Sequence, residues 1–508
     1  MLTVFSEQKS VSRFLLDPIE SRLNKLPGLF MLYLISIVVL ILVSEIASRF
    51  EWQFERVYPD GVSVQIEEVP SLVSAEILTR FFVDIPRTVT HFHPLGYLMV
   101  AIFALSVAER SGLLSAFARY LFSRIPDRTV SLVFIAAGGL SNIVADWAYV
   151  ILIPFAGITF AALGRNPVVG IFATFAGVSA NFSANVFAPT YLDSLLLGIT
   201  ERVVQSTNSS WQANLVGNWF FMLGIWITHT FIGWFVTETI VAKRLSKIPI
   251  ADSSKSNRYL SNAEKKGLAS AGQFAVVFML LLVATLIWRA DAFAQLSDFD
   301  LAQSVLGVTL FLSVGCGIFY GLALGTVKKS DDIVEFLTQG IRDFAPVIVV
   351  CAAASLFIAL LGWSNVFLVL LVNLSNWVAE SGFNAIELTL LLLLSSLTIN
   401  LFIGSAAAKW ALMAPAFIPA MMNMGISPEA ATAIFRIGDS ASNIVSPFMV
   451  YFPIVVGFCQ RWMPDIKLGT VISNLLPYSV SFALVGLLQV AVWALFNIPV
   501  GPDSTFFV

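Results

Sequence analysis

Charge is what this chain has least of. Only 12% of its 508 residues are Asp, Glu, Lys or Arg, against about 25% in soluble domains. A water-soluble globule is excluded, and most of the chain must lie in lipid. The net charge of −3 offers no basic surface to a nucleic acid. Cysteine and histidine are rarer still, with three of each. Cys316, Cys351 and Cys459 fall in or beside apolar runs without paired spacing, which reads as small core hydrophobes. His91 and His93 form a His-x-His pair with no third ligand nearby, so they do not make a metal site. The intramembrane acids likewise lack His or Cys partners, which argues against a membrane-embedded enzyme.

What the chain has instead is apolar length. A spanning helix needs roughly 20 apolar residues. Uninterrupted candidates lie at 28–48, 92–110, 216–241, 269–289, 303–325, 343–362 and 470–496. The first is too long for a signal-peptide core and reads as a retained helix. Segments 167–199 and 429–458 are apolar but interrupted, and 129–164 and 385–424 are each long enough for two short passes. Arg110, Arg119, Arg124, Arg128, Lys243, Arg244, Arg258, Lys328, Lys329, Arg461 and Lys467 mark cytoplasmic connections by the positive-inside rule. Asp291, Asp298, Asp300 and the long loop at 49–90 then face outward.

These constraints thread only if 129–164 and 385–424 enter and leave on one side, as re-entrant hairpins. The expected fold is an all-α polytopic membrane protein with nine transmembrane helices and two oppositely oriented hairpins. Its N-terminus is cytoplasmic and its C-terminus outside. "GRNP" after the first hairpin is basic and inside, whereas "GISPE" after the second is acidic and outside. The amphipathic stretch 331–344 reads as a cytoplasmic surface helix.

An internal repeat supports the hairpins. Asn142 and Asn185 are 43 positions apart, as are Asn400 and Asn443; Pro154–Pro167 and Pro415–Pro428 both span 13. "SANFSANVFAP" and "RIGDSASNIVSP" share an Asn-x-x-x-Pro ending. An offset of 258 maps Asn142 on Asn400, Asn181 on Asp439, Asn185 on Asn443 and Pro189 on Pro447. Matched, broken helices in halves of opposite orientation are the signature of an inverted-repeat transporter. A channel would need a continuous polar stripe, and here the polar residues gather at two related places.

The chain divides accordingly. Residues 1–128 are scaffold, 129–200 the first transport core, 201–384 scaffold with a cytoplasmic loop at 242–268, 385–458 the second core, and 459–508 the last helix. Proline inside an apolar helix removes a ladder bond and frees carbonyls, which is tolerated at membrane depth only when buried in protein or lining a cavity. With the side chains of Asn142, Asn181 and Asn185 in one half, and Asn400, Asp439 and Asn443 in the other, this makes two clusters of hard oxygen ligands. Such clusters suit a small cation such as Na⁺. Ser141, Ser179, Ser183, Ser405, Ser440 and Ser442 allow close backbone approach.

Arg436 and Asp439 are three apart and share a helix face. Buried charge is costly enough to mark both as functional: Arg436 as counter-ion for an anionic substrate, Asp439 as a coupling-ion ligand, or the two as a neutralising pair. Arg436 maps on Val178 and is what breaks the repeat symmetry. Trp410 offers a ring on which an aromatic substrate could stack. Lys409 beside it either snorkels or faces a cavity. Asp146 is a further acid in apolar context, and Asp193, near the outer end of its helix, reads as solvated.

"GSAAAKWALMAPAFIPAMMNMGISPEAATAIFRIGDSASNIVSP", with "SNIVADWAYVILIP" upstream, resembles the AbgT family of p-aminobenzoyl-glutamate transporters over most of the chain. The resemblance implies a homodimer in the bacterial inner membrane, coupled to Na⁺ or protons, without an organic cofactor. It also implies uptake of the anionic aromatic folate catabolite p-aminobenzoyl-glutamate, export of sulfonamide antimetabolites, or both. It points to Asp193, Asn400, Trp410, Pro428, Arg436 and Asp439 as substrate-pathway residues, raising Asp193 above its reading as a solvated acid. The competing expectation from the architecture alone is a Na⁺-coupled dicarboxylate or anion transporter.

Overall fold

The computed structural model describes residues 15–50, 52–57, 64–144, 146–182, 184, 186–206, 210–246 and 258–508. Asn185, Ser183 and most of the basic loop at 247–257 therefore lie outside the described residues. Seven helices are long and apolar enough to cross a membrane: Leu29–Arg49, Ala75–Arg110, Trp219–Leu245, Asn262–Trp288, Gln303–Leu324, Ser330–Ser364 and Leu468–Phe496. They coincide with the seven uninterrupted candidates. Their starts follow from capping chemistry: Ser261 with Glu264 and Ser297 with Asp300 each exchange side-chain bonds with the other's backbone N–H.

Both candidate hairpins are broken as their polar centres require. Asp127–Leu140 is followed by the short turns Ser141–Val144 and Trp147–Val150, then by Leu152–Ala162. The second runs Ala385–Ile399, a non-helical stretch at 400–405, and Ala406–Asn423. Each pair of arms packs on a following half-helix, Pro167–Ala180 in the first repeat and Pro428–Asn443 in the second. The chain then unwinds before a second half-helix, Tyr191–Gln205 or Phe452–Trp462. Tyr191–Gln205 packs on the second repeat, Phe452–Trp462 on the first, and the two first half-helices touch each other.

Burial separates core from scaffold. Every residue of Pro167–Ala180 and of Pro428–Asn443 is buried, Glu429, Arg436 and Asp439 included. Asn262–Trp288, far more apolar, leaves Val276, Leu280, Ile287 and Trp288 exposed, as suits a lipid-facing helix. Glycine permits the closest approaches. A Cβ on Gly177 would lie 2.6 Å from the Ile135 carbonyl oxygen, and one on Gly438 would lie 2.6 Å from that of Leu393.

The turns that close the hairpins have different neighbours. Arg165 pairs with Glu238 at 2.7 Å, and Asn166 donates to the Leu245 carbonyl at 3.1 Å, beside the basic 242–246 segment. The turn at 424–427 instead meets the C-terminus, where Val508 N donates to Gly425 O and Ser427 N to Phe506 O.

Four expectations need correction. Residues 331–344 are not a separate surface helix but the first turns of Ser330–Ser364, since Pro346 fails to break it. The 49–90 stretch is not all loop: it holds the antiparallel strands Gln53–Val57 and Val64–Glu68 and the helix Ala75–Thr90. Leu113–Phe122 and Val366–Glu380 are further helices, too short or too polar for the span criterion. Asp193 is buried rather than solvated.

Candidate substrate pathway and cation pockets

The two repeats make the same bond at the same place. Asn142 Nδ2 donates to the Asn181 carbonyl oxygen at 2.5 Å, and Asn400 Nδ2 to that of Asp439 at 2.6 Å. Each asparagine, at the broken tip of a hairpin, clamps the end of the neighbouring half-helix. Asn142 also reaches Gly139 O and Val178 O. Asn400 Nδ2 also reaches Ser442 Oγ at 3.0 Å and Asn443 Oδ1 at 2.9 Å, so Asn400, Asp439 and Asn443 converge as expected. In the first repeat Asn181 Nδ2 donates to Gly177 O at 2.9 Å, while its Oδ1 is buried without a partner. Asn185, the third member, lies outside the described residues.

Arg436 and Asp439 are not each other's partners. Arg436 Nη1 lies 2.7 Å from Asp193 Oδ1, a contact between the repeats with the two side chains 1% and 6% exposed. Asp439 Oδ1 instead receives the Lys409 ammonium, which also donates to Asn400 Oδ1. Residues three apart differ by about 60° around a helix, enough here to send the two charges to different neighbours. Asp193 Oδ2 accepts from Thr190 N and Thr190 Oγ1, both at 2.8 Å, in a reciprocal cap. One oxygen therefore starts its helix while the other faces the arginine. The guanidinium makes no aligned hydrogen bond, and a cavity of about 10 Å³ beside it is also lined by His229 and Ser440.

Trp410 is fully buried. Its ring stacks on Phe435, with centroids 4.6 Å apart, and its Nε1 donates to Thr200 Oγ1 at 3.0 Å. Thr200 and Thr432 hydroxyls are 2.8 Å apart, and Thr432 Oγ1 donates to the Pro428 carbonyl at 2.8 Å. One polar chain thus joins Trp410 to Pro428 through two threonines that periodicity and motif did not single out. Pro428 itself opens its half-helix behind the Ser427 cap.

A cavity of about 1070 Å³ reaches the broken tips from one side. Asn142, Ser405, Asn443 and Tyr451 line its depth, and Arg80, Arg87 and His91 its rim. It stops short of Trp410, Arg436 and Asp439, which are sealed in protein. His93 Nε2 sits 3.3 Å from Asp146, and His91 Nδ1 donates to the Arg87 carbonyl, so the His-x-His pair is divided between two partners. Among the described residues no group of three or more His, Cys, Asp or Glu could hold a metal.

Half-helices broken in matched pairs, packed into each other's repeat and buried with their charges, define a multi-pass membrane transporter of internal-repeat design. The comparisons with known proteins agree. The model of the "AbgT putative transporter family" matches residues 13–508, and the chain belongs to that family. It is 30% identical over 485 residues to the p-aminobenzoyl-glutamate transport protein of Escherichia coli K12, covering 94% of each. Among solved structures it is similar to the Alcanivorax borkumensis YdaH transporter, with TM-score 0.50 and 29% identity over 94% of this chain and 100% of that one. It also matches Neisseria gonorrhoeae MtrF, described with a class of antimetabolite efflux pumps, with TM-score 0.48 and 30% identity over 94% of this chain and 97% of that one. The family and these relatives are transporters, not enzymes.

Proposed function

We propose that this chain is an ion-coupled secondary transporter of the bacterial inner membrane that moves aromatic carboxylates of the p-aminobenzoyl-glutamate type by alternating access. The observation that carries the reading is the pairing of one large cavity with a sealed charge cluster behind it. The cavity meets the tips of both repeats, while Asp193, Asn400, Trp410, Pro428, Arg436 and Asp439 lie closed off beyond them. In an alternating cycle this arrangement is one state, open on the side of Arg80, Arg87 and His91. A basic rim raises the local concentration of an anionic solute.

In this reading a substrate carboxylate takes the place of Asp193 against Arg436, which offers it a planar fork. Asn142, Asn181 and Asn185 in the first repeat, and Asn400, Asp439 and Asn443 in the second, form cation pockets for Na⁺ or for a proton-linked step. The orphaned Asn181 Oδ1 supports the fit, because a buried carbonyl oxygen without a donor is costly unless a cation or donor reaches it. The arms at 129–164 and 385–424 act as re-entrant hairpins from opposite faces, completing nine spans, and two copies assemble as a dimer. Export of sulfonamides would use the same pathway in reverse. The test is flux of radiolabelled p-aminobenzoyl-glutamate and of a sulfonamide in proteoliposomes, under imposed Na⁺ or proton gradients. Gradient-driven movement of either is expected; flux unaffected by both gradients would overturn ion coupling.

A further inference from the structure

We propose that the Lys409 ammonium is a tethered cation held in the second repeat's pocket, so that a free coupling cation is taken only by the first repeat. The inference rests on the reading of the matched oxygen clusters as cation pockets, and it decides which of them is loaded from solution.

The repeats agree in their frame and differ in their charge. Asn142 and Asn400 make the same bond to the residue 39 positions on. Aligning Pro154 with Pro415 sets Tyr149 against Trp410 and Ala148 against Lys409. The 258 offset sets neutral Asn181 against Asp439. The second repeat has therefore gained one positive and one negative charge together. Their side chains are 0% and 1% exposed and in direct contact.

Position as well as charge marks Lys409 as a stand-in for an ion. Its Nζ donates to Asn400 Oδ1 and Asp439 Oδ1, two of the oxygens that would otherwise ligate a cation. Asn443 closes the cluster through Asn400. An ammonium in this place neutralises Asp439, whose isolated charge would be very costly to bury. No such group serves the first repeat, where Ala148 replaces the lysine and Asn181 Oδ1 is left without a donor among the described residues. The first pocket thus needs an ion from outside, and the second carries its own. Covalent attachment makes the second cation's presence independent of external Na⁺.

The test is thermal unfolding of the purified full chain in detergent, with NaCl exchanged for choline chloride at constant ionic strength. The chain is compared with Lys409→Gln and with Lys409→Gln/Asp439→Asn. Lys409→Gln opens the pocket while keeping the carboxylate. It is expected to unfold lowest in choline and to gain a saturable Na⁺-specific rise in midpoint larger than the parent's. The double variant, neutral as the first repeat is, should show no such extra gain. A Lys409→Gln response to Na⁺ equal to the parent's would overturn the proposal, and so would a variant that stays unfolded in saturating Na⁺. Asn142→Ala tests the underlying reading separately, since loss of the parent's own Na⁺ response bears on the first pocket alone.

Discussion

Replacing Asp193 by Asn isolates a single contact. The amide retains an oxygen for the Thr190 cap and the side chain's volume, but removes the charge 2.7 Å from Arg436. With the guanidinium 1% exposed and no aligned acceptor, the arginine is left as an orphan buried cation, a state that costs about 3–5 kcal/mol. Arg436→Met leaves the opposite orphan, softened because Asp193 keeps two donors from Thr190; its cost should lie near the lower end of that range. Removing both charges together should return stability to within about 1 kcal/mol of the parent, as neutral replacements of buried pairs commonly do. Thermal unfolding in detergent measures the first part of the cycle. Flux measures the second, where no rescue is expected, because the substrate's counter-ion is gone. Arg436→Lys should also transport poorly, since lysine lacks the planar fork. A double variant as unstable as either single change would refute the pairing, and one that transports normally would refute the counter-ion role.

Other outcomes follow from particular contacts. Thr200→Val leaves the buried Trp410 N–H without an acceptor and should cost about 1–3 kcal/mol, read as a lower unfolding midpoint. Gly438→Ala drives a methyl to 2.6 Å from the Leu393 carbonyl oxygen, and overpacking of this kind costs about 1–3 kcal/mol; Gly198→Ala, with open space around it, is the control. Arg87→Gln/His91→Gln at the cavity rim should slow entry of an anionic substrate at low ionic strength and matter little at high salt, checked by initial flux at the two salt concentrations.

The breaks in the transport core were legible because proline and asparagine in an apolar run leave few alternatives: unwinding falls at 444–451 beside Asn443 and Pro447. Interval matching between Asn142 and Asn400 located the clamps before any geometry was known. Partner choice was not legible. Arg436 and Asp439 share a helix, and spacing alone favoured a local pair, whereas Asp193 and Lys409 come from elements whose packing no interval encodes. Lys409 was uninformative as a long amphipathic side chain beside a tryptophan, until the fold buried it. Val366–Glu380 was missed because Asn373, Asn376 and Glu380 dilute its apolar run. Asp193 looked solvated from its place near a helix end, yet that end is covered by the second repeat.

The inverted relation of the two repeats underlies the cavity, the clamps and both pockets, and accessibility labelling tests it directly. In a background with Cys316, Cys351 and Cys459 replaced, single cysteines are placed at Arg165, in the turn after the first hairpin, and at Met424, exposed in the turn after the second. A membrane-impermeant maleimide applied to intact cells should label Met424→Cys and spare Arg165→Cys until the membrane is opened. Labelling of both positions from the same side would contradict the opposed hairpins and, with them, the account of a shared pathway.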